Sequence, residues 1–309
     1  MVSPFNRLTR LASQLRSLLR VPTAVEASRL ANEQTERRLR EIEQMLAVAL
    51  RRRTADGTDR GEVYRDALRG VGVLNYENSV ISGEHRFLRR FLEQYPEATV
   101  LDVGANAGQY ARAVREHGPN ATIHAFEPHP VSYAALQAIA ADIRITPHGF
   151  GLSDQPGEIE FFDYADEAGS QHASVYRDVI ETVHRRSAEA RKVRCETLDT
   201  VAPRLGLSHI GLLKIDTEGH ELAVLKGARG LLADGSIDVI QFEFNEMNVI
   251  SRVFMKDFFE LLPNYRIYRL LGDGVIEFEV YDPTFMEVFA FQNIACVRRD
   301  IDPFWIHLA

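Results

Sequence analysis

Hydrophobic positions fall into two regimes along the chain. From Phe5 to Arg20, Leu8, Leu11, Leu15, Leu18 and Leu19 recur every three or four residues with arginines between them, which predicts an amphipathic helix with a basic polar face. Pro22 breaks or restarts it. From Ala24 to Arg53, Val25, Leu39, Ile42, Leu46 and Ala49 take heptad-like positions. Ser28, Asn32 and Thr35 share that seam, so the segment reads as a weakly specified coiled coil. Arg52 to Gly61 is polar and carries the turn signal Asp56-Gly57. The expected organisation is therefore helices over 1–53, a linker over 54–61 and one large domain over 62–309.

Past the linker, short apolar runs alternate with helical periodicity. Strands are predicted at 99–103, 122–127, 143–147, 193–198, 210–215, 237–244, 267–271 and 288–297. Helices are predicted at 108–117, 131–141, 178–192, 221–232 and 254–262, and 158–164 alternates like one arm of a hairpin. Such alternation implies an α/β fold with a mostly parallel sheet covered on both faces. In such sheets ligands sit outside the carboxyl ends of the strands, so the residues following each strand are the candidates for function. Phe254, Phe258, Phe259, Tyr265 and Tyr268 follow the helix and strand periods and are expected in the core.

Composition narrows the class. No apolar run approaches the roughly 20 residues that cross a bilayer. The two cysteines, Cys195 and Cys296, are far apart and form no Cys-x-x-Cys pair, which argues against a disulfide framework or a cysteine zinc site and for a reducing cytoplasm. Residues 1–53 hold 11 Lys+Arg against 5 Asp+Glu, whereas the rest holds 25 against 39. An acidic body argues against nucleic acid as a partner. The basic, leucine-striped arm is expected to drive homo-oligomerisation, with its charged face free for a partner enzyme or the inner face of a membrane.

The first strand runs into Asp102-Val103-Gly104-Ala105-Asn106-Ala107-Gly108. Gly104 permits a sharp turn and Gly108 a close approach of helix and ligand, the layout of a site for a nucleoside-bearing cofactor. Glu127 ends the second strand, where a carboxylate accepts hydrogen bonds from both ribose hydroxyls. Asn106 departs from the dinucleotide fingerprint and Gln109 from the phosphate-binding loop of nucleotide hydrolases. S-adenosylmethionine (SAM) lacks the phosphates those loops cradle and suits this looser turn.

The segments VLDVGANAGQY (100–110), HAFEPHP (124–130), GLSD (151–154), LLKIDTEGHELAVLKGA (212–228) and QFEFNE (241–246) make the chain resemble the FkbM-type SAM-dependent methyltransferases over roughly residues 70 to 298. The resemblance implies a Rossmann-like class I methyltransferase fold, with a seven-stranded sheet whose last strand is antiparallel, and O-methylation of hydroxyls, commonly on sugars. It implies that Asp102, Gly104, Asn106 and Gly108 line the SAM loop, that Glu127 holds the ribose, that Ser153 and Asp154 flank the adenine, and that Asp216 lies near the methyl group.

SAM brings an activated methyl group, but a sugar hydroxyl is a poor nucleophile at neutral pH and needs a base or a metal. Asp216, Glu218, His220 and Glu221 follow the fourth strand of the sheet, and Glu243, Asn245 and Glu246 end the fifth. One reading has Asp216 and Glu243 hold a magnesium-type ion; the other, favoured here, makes His220 the base, oriented by a carboxylate. His172, Asn245 and Glu246 are candidate acceptor contacts. Tyr76, Asn78 and Glu84 are candidates to close over the cofactor. The expected activity is SAM-dependent O-methylation of a carbohydrate acceptor, a hydroxyl of a bacterial polysaccharide or glycolipid. The alternatives are methylation of a natural-product alcohol and a SAM-binding scaffold without catalysis.

Overall fold

A computed structural model describes residues 59–165, 169 and 173–307. The predicted N-terminal helix and coiled coil lie outside these residues. The chain divides into two compact units at Ala67/Leu68. Of the first, residues 59–67 are described; they begin helix α1 (Arg60–Gly70), which starts inside the expected linker.

The second unit is built on an eight-stranded sheet in the order β10-β9-β11-β8-β7-β1-β2-β3. Its strands are β1 (Thr99–Val103), β2 (Thr122–Phe126), β3 (Thr146–His148), β7 (Ile210–Ile215), β8 (Ile237–Phe244), β9 (Tyr265–Leu271), β10 (Gly274–Glu277) and β11 (Gln292–Arg298). Strands β3, β2, β1, β7 and β8 run parallel, and β11 is antiparallel to both β8 and β9. The family resemblance implied seven strands. The eighth, β10, folds back on β9 through Gly272-Asp273, and its Asp273-Gly274 pair is the hairpin signal that went unread.

Alternation along the strands separates two cores. Leu101, Leu213, Ile215, Ile240 and Phe242 face helices α5 (Leu198–Arg204), α6 (Glu221–Lys226), α7 (Arg229–Ala233) and α9 (Met255–Leu261). Val100, Leu212, Val239 and Ala295 face α2 (Glu84–Gln94), α3 (Gln109–His117) and α11 (Phe304–His307). Register then places Asp102 beside Lys214, and Lys214 beside Gln241, on that second face. Three polar residues thus form one row at the carboxyl ends of buried strands.

A second sheet, β4-β6-β5, comprises β4 (Gly151–Leu152), β6 (Ala188–Glu196) and β5 (Gly157–Tyr164). Residues 178–192 are not the expected helix: one π-helical turn (Val179–Val183) precedes β6, which pairs with β5 along its full length. That tertiary pairing overrides the helical look of a polar stretch. The helix expected over 221–232 breaks into α6 and α7 at Gly227, where the missing side chain lets the backbone lie against the Ser153 carbonyl oxygen. Helices α4 (Pro130–Ile139), α8 (Met247–Ser251) and α10 (Pro283–Met286) complete the unit. Phe258, Tyr265 and Tyr268 are buried as expected, whereas Phe254 is 49% exposed. Both cysteines are free and buried, and no described helix is long and apolar enough to cross a membrane.

Arg269 is fully buried in β9. It donates to Gln292 Oε1 at 2.7 Å, to the Phe285 carbonyl at 3.0 Å and to the Val71 carbonyl at 3.3 Å, between the rings of Phe278 and Phe285. Arg269→Met keeps the packing but strips three acceptors of their donor, and should lower the unfolding free energy by roughly 3 kcal/mol. Urea denaturation with an unchanged midpoint would contradict this.

Candidate active site

Two cavities meet at the carboxyl ends of the parallel strands. The narrower, about 60 Å³, lies between the large and small sheets and is walled by Phe126, Glu127, Leu152, Phe161, Val193 and His220, among others. The larger, about 850 Å³, is lined by Tyr76, Asn78, Glu84, Tyr110, Lys214, Glu243, Asn245 and Glu246, among others. Gly104, Asn106, Asp216 and Glu218 border both.

The glycine loop forms the shared lip. Gly104 has φ +82°, and a β-carbon there would strike the Asp216 carbonyl oxygen, so the loop can lie against the end of β7 only without a side chain. Asn106 also has positive φ (+46°), and its amide donates to Glu127 Oε2 at 2.8 Å. The His129 amide donates to Glu127 Oε1 at 2.7 Å. Burial pushes the Glu127 carboxyl up to about 7 despite these two bonds. Gly108 lines neither cavity: with φ +85° it starts α3, where a β-carbon would come within 2.6 Å of Ile139. Asp102 also departs from expectation. It is fully buried beneath the loop, 3.7 Å from Lys214 Nζ, and belongs to the support of the site.

The turn after β7 accounts for the Asp-Thr-Glu-Gly-x-Glu pattern. Glu218 (φ +53°) and Gly219 (φ +98°) reverse the chain. Glu221 Oε1 clamps the turn by accepting from the Thr217 amide at 2.9 Å, its hydroxyl at 3.1 Å and the Gly219 amide at 3.2 Å. Asp216 is thereby held at the junction of the cavities. His220 is turned the other way, into the narrow cavity, with Nε2 2.9 Å from Ser153 Oγ. Ser153 Oγ in turn donates to Asp154 Oδ1 at 3.1 Å, so the chain of bonds is complete when Nε2 carries the hydrogen and Nδ1 is the acceptor. That Nδ1 is buried without a partner, and burial pushes the imidazole down to about 4. Ser153 and Asp154 line neither cavity; they orient His220.

His220, expected as the base, lines the narrow cavity and not the one that holds Glu243, and an imidazole held so low is a weak proton acceptor. The larger cavity has its own machinery. Lys214, which the sequence reading passed over as part of an apolar strand, contacts Asp216 Oδ2 at 3.0 Å and lies over the Tyr110 ring at 5.1 Å. Burial alone would lower its ammonium, but Asp216, Asp102 and Glu84 overcome this and hold it above its ordinary value. Tyr110 Oη donates to Gln241 Oε1 at 2.7 Å, and Gln241 Nε2 to Glu84 Oε1 at 2.9 Å. Burial, then the charges of Asp216 and Glu218, push Glu243 well above the usual carboxylate range. Asn245 Nδ2 reaches Glu243 Oε2 at 3.5 Å, while its Oδ1 takes the Met247 amide at 3.0 Å. One lysine inside Ile-Gly-Leu-Leu-Lys-Ile was the available signal, since a buried charge requires partners.

Among the described residues no group of three or more His, Cys, Asp or Glu side chains is placed to hold a metal ion. His172 lies outside the described residues. Tyr76, Asn78 and Glu84 border the larger cavity rather than the one beside Glu127.

Fold and site together are those of an α/β methyltransferase-like protein. The family model for the methyltransferase FkbM domain matches residues 102–267, and the chain belongs to that family. It is similar to the 31-O-demethyl-FK506 methyltransferase FkbM of Streptomyces tacrolimicus, at 31% identity over 46% of this chain and 63% of that one. It is similar also to the hexuronic acid methyltransferase AglP of Haloferax volcanii, at 29% identity over 52% and 63% respectively. The chain thus spans less than two thirds of the length of either relative. Among solved structures, the methyltransferase FkbM of Methylobacillus flagellatus KT gives a TM-score of 0.41 at 14% identity, covering 65% of this chain and 44% of that one.

Lys214→Met would leave Asp102 buried with no cation beside it. We expect a loss of about 3–5 kcal/mol in unfolding free energy. A loss below about 1 kcal/mol, the range of an exposed pair, would show that the ammonium does not neutralise this row.

Proposed function

We propose that the protein transfers a methyl group from SAM to an alcohol of a polyhydroxylated small molecule or sugar. The observation that carries this is the junction of two unlike cavities at Asp216, one largely apolar and bordered by Glu127, the other richer in polar side chains and holding Glu243. The donor set of the first suits an adenosine, whose entry requires the walls around its present volume of about 60 Å³ to part. Phe126, Leu152, Phe161 and Val193 offer apolar walls to a purine, Glu127 offers carboxylate oxygens to a ribose diol, and His220 Nδ1 offers an acceptor to an exocyclic amine. When bound, SAM supplies a methyl group on sulfur already activated for in-line transfer.

In the second cavity Glu243 is the base. It lines the cavity beside Asp216 with Asn245 Nδ2 at 3.5 Å from its Oε2, where its ionised form can take the proton of an acceptor hydroxyl as the oxygen becomes nucleophilic. Lys214 pins the Asp216 carboxylate and supplies positive charge close to where negative charge develops on that oxygen. Asn245 steadies Glu243. The carboxyl, amide and ammonium groups in its lining support a sugar-like acceptor. A natural-product alcohol is the second reading, and the relative that acts on demethyl-FK506 favours it. Labelled SAM offered with neutral glycosides and with hydroxylated macrocycles tests the two, since the reading requires acceptor-dependent formation of S-adenosylhomocysteine.

Glu243→Gln should then reduce kcat by about 100-fold or more. His220→Ala should leave kcat within about tenfold and weaken SAM binding by roughly tenfold, the worth of one hydrogen bond. The opposite pattern would return the base to His220.

Glu127 gives a pH test. Ribose hydroxyls donate to the ionised carboxylate, which in the free protein forms only above about 7. Affinity for SAM should therefore weaken as pH falls from 8 to 6, by up to about tenfold per unit below that value, and Glu127→Gln should flatten the profile. Free-protein stability moves oppositely: the folded value exceeds the ordinary 4.5, so ionising Glu127 costs stability as pH rises from 4.5 through about 7. Calorimetry showing equal SAM affinity at pH 6 and 8 would remove Glu127 from the ribose.

A further inference from the structure

Residues 72–83, which join α1 to α2, form a strap fastened at both ends to the end of β9. A β-carbon at Gly72 (φ +83°) would come within 2.7 Å of the Leu270 carbonyl oxygen, and one at Gly83 (φ +85°) within 2.5 Å of that of Leu271. Between them the Leu74 amide donates to the Phe291 carbonyl at 2.8 Å, and Asn78 Oδ1 accepts from the Val80 and Ile81 amides at 3.0 Å each. The strap is thus a built feature, and it presents Tyr76 to the larger cavity. Tyr76 is 63% exposed, and its ring meets Phe291, a second lining residue, nearly edge-on at 6.3 Å. An aromatic ring left this open on a fixed rim adds little to the core.

The remaining wall has a marked charge. Glu84, Asp216, Glu218, Glu243 and Glu246 line the cavity, with Lys214 as the cation buried among them. An anionic acceptor entering here meets this acidic wall, although burial pushes Glu84 and Glu243 toward the neutral form. A pyranose offers the complement: C–H groups on one ring face that pack on an aromatic surface, and hydroxyls at the rim that donate to carboxylates.

Resting on the methyl-transfer reading, we propose that the open face of Tyr76, braced edge-on by Phe291, is a stacking platform that seats the ring of an uncharged pyranoside acceptor, with the carboxylate wall excluding acidic sugars. The volume, about 850 Å³, exceeds the need of one hexose and leaves room for a neighbouring sugar or aglycone.

The test uses the full chain, with methyl glycosides of glucose, galactose, mannose and rhamnose, the methyl glycoside of glucuronic acid, and cyclohexanol as an alcohol without a pyranose ring. Saturation-transfer NMR without SAM should show the ring C–H protons of at least one neutral glycoside in contact with the wild type. Tyr76→Phe should preserve that contact, and Tyr76→Ala should abolish it. In turnover, Tyr76→Ala should raise the acceptor KM by about tenfold, with kcat much less affected and SAM affinity unchanged. Failure of every neutral glycoside to bind, binding indifferent to Tyr76→Ala, or equal binding of the glucuronide or cyclohexanol would each overturn the platform. A glycoside held through Tyr76 but never methylated would overturn the methyl-transfer reading while the platform stands.

Discussion

A lysine ammonium in the middle of a parallel sheet is the constraint on which the site depends. Lys214 sits in a strand whose other five residues are apolar and buried, where an unpaired charge would cost several kcal/mol. It is tolerated because register sets Asp102 beside it on β1 and because Asp216, two residues on, turns back to meet it. The glycine loop must then pass over this pair without a side chain at Gly104, and the turn after β7 must hold Asp216 at the lip, which Glu221 does by gathering three hydrogens onto one oxygen. The junction of the two cavities follows from this packing.

The separation of those cavities divides the chemistry. Groups facing the narrow cavity are arranged for recognition: a half-satisfied carboxylate, an imidazole fixed by Ser153, and apolar walls. On the proposed reading, groups facing the larger cavity serve proton transfer and charge stabilisation, with Glu243 pushed up by burial and Lys214 held charged by its neighbours. Only four residues border both, so substitutions on either side are expected to affect different steps. Buried titratable groups of opposite tendency at one strand end are what such chemistry requires.

Much of this was legible in the residues. The strand-turn-helix at 99–117, the acidic end of β2 and the Asp-Thr-Glu-Gly turn declare themselves through glycines and through carboxylates at strand ends, and the family match covers them. What was not legible depends on contacts distant in sequence. Nothing near His220 shows that Ser153, 67 residues earlier, pulls its ring away from Glu243. Asp102 resembles a ligand-facing loop residue until register pairs it with Lys214. Residues 188–192 look helical until β5 supplies a partner strand, and β10 is hidden because four residues carry little pattern of their own.

The division between the cavities is the claim most directly open to measurement. A crystal structure of the protein with S-adenosylhomocysteine should place the ribose hydroxyls on the Glu127 carboxylate and the adenine between Phe126, Leu152 and His220. The sulfur should emerge past Asp216 toward Glu243. A nucleoside seated in the larger cavity against Tyr76 and Glu84, with Glu127 still bonded only to the amides of Asn106 and His129, would contradict the account.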